Sequence, residues 1–242
     1  MGNPDTMEEF GMLSIVIPAL NEEKYLPRLL DSLQAQSFTD YETIVADAGS
    51  SDGTVKVAER YGCQVVSGGK PARGRNEGAR HAKGSHLLFL DADVMVEKNF
   101  LEDLMKRVSL RNLEVASGFV CPDSGKSLDK ILVSGSNLYC YLVQRASPHG
   151  SGFYILARKT LHDRICGFNE ALFMAEDHDY LCRAARYGKF GYLRHPQVIF
   201  SVRRFDKEGR MLLLWKYFVL EVYRTFKREV KREVVRYDFG DY

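Results

Sequence analysis

Two carboxylates one residue apart, Asp91 and Asp93, directly follow the strand-like run from His86 to Leu90. On an extended chain, residues two apart point the same way, so these acids share a face. Held together they repel each other unless a proton or a cation intervenes. Hard oxygen donors suit Mg2+ or Mn2+, which usually complete their shell with substrate phosphates. A lone pair of this pattern is most often a turn cap plus a solvated acid. Its place at the end of an apolar strand favours the metal reading.

Other segment ends carry polar clusters. The first strand runs into Pro18-Ala19-Leu20-Asn21-Glu22, and the second into Asp47 and a Gly/Ser-rich loop that ends at Thr54. Asp47 suits a hydrogen bond from a ring N–H or a ribose hydroxyl, or simply the turn that Asp52-Gly53 signals. Glu22 and Glu23 also fit the first turn of a helix, where acids meet the helix dipole. Arg73 and Arg75 lie in a Gly-containing stretch from Gly68 onward and suit either phosphate or solvent. A further cluster, Ala175-Glu176-Asp177-His178-Asp179, precedes a helical run. N-terminal capping explains one of its acids, and another can serve as a general base.

The elements that position these residues alternate. Apolar strands at 13–18, 41–46, 63–66 and 86–90 are separated by segments with helical spacing at 22–35, 54–61 and 75–83, and a helix follows at 100–108. This alternation predicts an α/β fold with parallel strands and helices on both faces. Ligands in such sheets bind outside the carboxyl ends of the strands, where the polar clusters fall. Further on, strands are expected at 115–120, 153–157, 190–193 and 198–202, with helices at 128–144 and 176–187. Three regions result: a loose tail over 1–11, a catalytic domain over 12–204 and a C-terminal helical extension over 205–242.

Composition narrows the function classes. The net charge of +2 does not point to nucleic acid. The five cysteines include no C-x-x-C pair, which argues against a zinc or disulfide framework and leaves a reducing cytoplasm as the default. No apolar run reaches the ~18 residues of a membrane span. No G-x-G-x-x-G follows the first strand, against a dinucleotide-dependent oxidoreductase. The Gly-rich basic loop expected there of a sugar-nucleotide nucleotidyltransferase is also missing. A catalytically silent nucleotide-sugar-binding protein stays open.

The ordered set of Ser14–Glu22, Asp47–Thr54, Arg75–Ala79, Leu90–Asp93, Gly167–Glu170 and Glu176-Asp177 resembles the family 2 glycosyltransferases, over roughly Met12 to Arg204. The resemblance implies a GT-A fold, one Rossmann-like mixed sheet flanked by helices. It also implies a nucleoside-diphosphate sugar donor, a Mn2+ or Mg2+ ion and inversion at the anomeric carbon. By the same resemblance Pro18, Leu20, Glu22, Asp47, Arg75 and Asp91 line the donor pocket, Asp93 ligates the metal with Asp91, and Asp177 is the general base with Glu176 beside it. Two departures stand out. Ala48 replaces a second acid common in the family, and Arg203 and Arg204 stand where many relatives have a histidine. That leaves the third metal ligand open, with His195 a weak candidate, and the two arginines as candidates to steady the leaving diphosphate. The acceptor (glycan, lipid-linked or small molecule) is not legible, and self-association stays open.

The C-terminal extension is basic and apolar at once: Arg203 to Arg236 holds eleven Lys/Arg and five Asp/Glu. Its apolar residues are expected to pack on the domain or a second subunit, as most amphipathic helices do. The alternative is weak peripheral attachment to an anionic membrane, at the inner membrane surface, through the basic end.

Overall fold

The computed structural model describes residues 11–150 and 152–227. Nearly all of the tail, and the extension beyond Lys227 with Arg228, Lys231 and Arg232, lie outside them. One eight-stranded sheet has the order β3-β2-β1-β4-β7-β6-β8-β5. Its strands are β1 (Leu13–Ala19), β2 (Tyr41–Asp47), β3 (Gln64–Ser67), β4 (His86–Leu90), β5 (Val94–Val96), β6 (Val115–Asp123), β7 (Tyr154–Arg158) and β8 (Phe190–Ser201). The half from β3 to β4 is parallel, as the alternation predicts. The other half is mixed: β7 runs antiparallel to β4 and β6, and β5 antiparallel to β8.

Side-chain alternation along the central strands builds the core on both faces. Ile15, Ile17, Leu88 and Leu90 join one cluster with α1 (Leu26–Gln34) and α4 (Phe100–Leu110). Val16, Leu87 and Phe89 join the other with α3 (Pro71–His81) and α7 (Glu176–Ala184). In α1, Leu26, Leu29, Leu30 and Leu33 recur at helical spacing and are all buried, each worth about 1.5–3 kcal/mol relative to exposure.

Several boundaries differ from the sequence expectation, each for a physical reason. Helix α1 starts at Leu26 rather than Glu22, because Pro27 has no N–H to give and fits only a first turn. Helix α3 starts at Pro71 rather than Arg75, with the proline opening the helix where its fixed φ is suited. Residues 190–201 form one strand instead of two, carried past His195-Pro196 by an irregularity opposite Gly118/Val120. The short β5 and α6 (Lys159–Arg164) were not expected from periodicity. Helices α2 (Thr54–Arg60) and α5 (Ser127–Val143) fall close to expectation. The extension is broken at Gly209 (φ 85°) into α8 (Arg203–Glu208) and α9 (Arg210–Lys227). Among the described residues, no helix is long and apolar enough to cross a membrane.

Candidate active site

The carboxyl ends of β1, β2 and β4 meet along one edge of the sheet. Ala19 lies beside Asp47, and Val16 lies beside Phe89, two residues before Asp91. Past β1 the chain turns at Asn21 in the left-handed region (φ 55°). The Asn21 Oδ1 accepts the Ser51 amide at 2.9 Å, and the Glu22 amide donates to Thr54 Oγ1 at 2.7 Å. These bonds lock the first two polar clusters together. Leu20 is half-buried in this turn, and Pro18 packs against α3 at Gly74. Asp47 is half-exposed, and its carboxylate accepts from Gly49 and Ser50 of its own loop.

Helix α3 approaches β1 closely. A Cβ on Gly78 would lie 2.3 Å from Val16 Cγ1, so glycine is required there. The close approach carries Arg75, one turn earlier, beneath the site. Its guanidinium is almost fully buried and donates to Asp91 Oδ1 at 2.7 Å, Glu176 Oε1 at 2.7 Å and the Gly152 carbonyl at 3.3 Å. It also stands over the Phe168 ring. Neighbouring Asn76 donates to the Phe168 carbonyl and to Glu170, and its Oδ1 accepts the Phe168 amide at 2.7 Å. The sequence motifs around Arg75 and Gly167 are therefore one structure. Gly167 is its hinge (φ 66°), since a Cβ there would lie 2.5 Å from Asn76 Oδ1.

A second arginine holds the other side. Arg203, at the start of α8, donates to both Glu22 oxygens, at 2.9 Å to Oε2 and 2.5 Å to Oε1. Its Nε lies 3.1 Å from Asp93 Oδ2, and its guanidinium lies over the Tyr25 ring at 4.4 Å. Arg204 adds positive potential at Asp93. Burial pushes the Asp91 carboxyl up to about 6, against the pull of Arg75 and with a further push from Asp93. Burial likewise raises Asp93 and Glu22, each partly offset by Arg203. The floor of the site is thus rich in crowded carboxylates held by two guanidiniums.

Helix α7 presents three acids at its start. Glu176 is committed to Arg75 and Asp179 to Arg183 at 2.8 Å. Asp177 is half-buried beside Gly152, with its Oδ1 accepting the His178 amide at 2.8 Å. A Cβ on Gly152 would come within 3.0 Å of Asp177 Oδ2. His195 is exposed within β8, six residues before the Ser201 whose amide bonds the Asp93 carbonyl. Among the described residues no group of three or more His, Cys, Asp or Glu side chains that could hold a metal ion is found. Arg73 borders a shallow groove with Glu77 and His81, on a different surface from Arg75. Arg203 bridging Glu22 to Asp93, Tyr25 beneath it and Asn76 clamping Phe168 were not anticipated. Glu22, Asp93, Arg203 and the motif around Asn76 each carried a sequence signal, but their pairings did not.

The family model described as Glycosyl transferase family 2 matches residues 14–181, the span that holds these clusters. This chain belongs to glycosyl transferase family 2. Among curated relatives, the poly(ribitol-phosphate) beta-N-acetylglucosaminyltransferase TarS of Staphylococcus aureus is 34% identical over 100 residues, 37% of this chain and 18% of that protein. An uncharacterized glycosyltransferase of Haemophilus influenzae is 28% identical over 188 residues, 74% of this chain and 64% of the relative. Each match spans less than two thirds of the relative's length. Among solved structures, TarS 1–349 in complex with UDP-GlcNAc superposes with a TM-score of 0.64 at 24% identity, covering 79% of this chain and 59% of that one. The mannosyltransferase PcManGT of Pyrobaculum calidifontis, in complex with GDP-Man and Mn2+, gives 0.70 at 19% identity, over 88% and 64%. The sheet with its flanking helices is the GT-A fold of this family 2 chain.

Proposed function

We propose that the chain transfers a sugar from a nucleoside-diphosphate sugar to an acceptor hydroxyl, with a divalent metal and inversion. The observation that carries this reading is the convergence of Asp91, Asp93, Glu22, Glu176 and Asp177 on one sheet edge around Arg75 and Arg203. Neighbours that hold UDP-GlcNAc, or GDP-Man with Mn2+, support a donor of this class.

The donor set suits Mn2+ or Mg2+: two hard carboxylates, Asp91 and Asp93, with substrate phosphates and water completing the shell. When bound there, the ion neutralises charge growing on the leaving diphosphate. Pro18, Leu20, Glu22 and Asp47 wall the nucleotide side, and Arg203 and Arg204 add positive charge beside the diphosphate. Asp177 takes the proton of the acceptor hydroxyl as its oxygen attacks the anomeric carbon. The bond from that carbon to the diphosphate oxygen breaks, and its electron pair leaves with the diphosphate. Glu176 is held by Arg75 and positions the guanidinium that steadies Asp91. The setting is cytoplasmic, and no nucleic acid is involved.

Inversion is tested by proton NMR of the sugar released from an α-linked donor during slow hydrolysis. Attack from the opposite face predicts the β anomer as the first product. An α anomer formed first would overturn the inverting reading.

A further inference from the structure

We infer that α5 and α9 form a platform that seats this chain on an anionic membrane surface. Both helices are apolar on two opposite faces. Of the side chains described in α9, Leu213 and Leu220 are buried, with Leu220 packed against Met174. Met211, Trp215, Phe218 and Val222 recur at i, i+4, i+7 and i+11, on the side opposite that buried pair, and are 74%, 62%, 59% and 41% exposed. Packing on the domain therefore accounts for only one edge of the helix.

Helix α5 repeats the arrangement. Val133, Asn137 and Cys140 face inward, with Asn137 bonded to the backbone of Val120. Leu128, Ile131, Leu138 and Leu142 lie on the opposite side and are exposed. The two helices are tied near their N-terminal ends by Arg210 donating to Asp129 at 2.9 Å. Further along, His149 meets the Tyr139 ring of α5 and Glu221 of α9. The two links match the helices in the same chain direction. His149 also lies against His178, next to Asp177, at a ring separation of 4.1 Å. The platform thus adjoins the acceptor side of the site.

Charge selects the occupant. Arg203, Arg210 and Lys216 are held in ion pairs with the chain's own acids, but from Arg224 to Arg236 the sequence holds six Lys/Arg against two Asp/Glu. A two-fold interface with a second copy would set this basic segment against itself. An anionic bilayer offers apolar depth for Trp215 and Phe218 and negative headgroups for the basic residues. The inference does not depend on the transfer reaction, because vesicle binding needs neither donor nor acceptor.

The test is cosedimentation of the full chain with vesicles of phosphatidylcholine, alone or mixed with phosphatidylglycerol. Binding to the mixed vesicles is expected to be about tenfold or more stronger and to weaken as salt screens the charges. The double variant Trp215→Glu/Phe218→Glu should lose that binding while its circular dichroism stays unchanged, since both side chains are exposed. Equal or absent binding to both vesicle types overturns the inference. So does a dimer in analytical ultracentrifugation that the double variant dissolves without any vesicle binding, which would assign the face to a second copy.

Discussion

Replacing Arg75 by methionine should destabilise the protein by about 3–5 kcal/mol, the cost of leaving buried charge without its partner. The guanidinium keeps 3% of its side-chain surface and holds Asp91 and Glu176 together. Without it, two carboxylates that keep 30% and 17% of their side-chain surface, with Asp93 and Asp177 close by, face each other with no cation between them. Urea denaturation measures the loss directly. Arg75→Lys keeps the charge but lacks the planar fork that reaches both acids, so it should fall between wild type and Arg75→Met in stability and bind donor more weakly. A loss below about 1 kcal/mol for Arg75→Met would place Arg75 among ordinary surface pairs and contradict its role as the buried cation of the site.

Asp177→Asn should cut transfer by about 10²–10⁴, equivalent to about 3–5 kcal/mol of barrier, with donor affinity nearly unchanged. The separation of effects follows from placement. Asp177 lies at the first turn of α7 beside Gly152, whereas Glu176 and Asp179 are bound by Arg75 and Arg183. Single-turnover kinetics alongside donor titration separates the two quantities. Full activity in the variant would move the base to another group.

Much of this sheet edge was legible because strand ends announce themselves. A run of apolar residues that stops at Asn21-Glu22, at Asp47 or at Asp91 names both the element and the edge where its polar residues gather. The mixed half of the sheet was harder to read. β5 has three residues, too few for a period, and β8 continues through Arg194–Gln197, where alternation lapses. Long-range pairing was illegible for a different reason. Glu22 and Arg203 are 181 residues apart, and nothing local in either segment specifies the other. Arg203 was read from sequence as a diphosphate contact, and the structure adds its grip on Glu22 and Asp93. The clamp of Asn76 on Phe168, across 92 residues, was visible only as two separate motifs. The outer face of α9 was illegible for a simpler reason: helical spacing reports an apolar stripe but not whether the protein covers it.

The central claim, a metal-assisted nucleoside-diphosphate site built on Asp91 and Asp93, is tested most directly by calorimetric titration of UDP and GDP into the full chain, with and without Mn2+. The account predicts binding of at least one of the two that requires Mn2+ and is lost in Asp93→Asn, whose thermal unfolding stays cooperative. Binding that is equal without the metal, unchanged affinity in Asp93→Asn, or no binding of either nucleotide would contradict it.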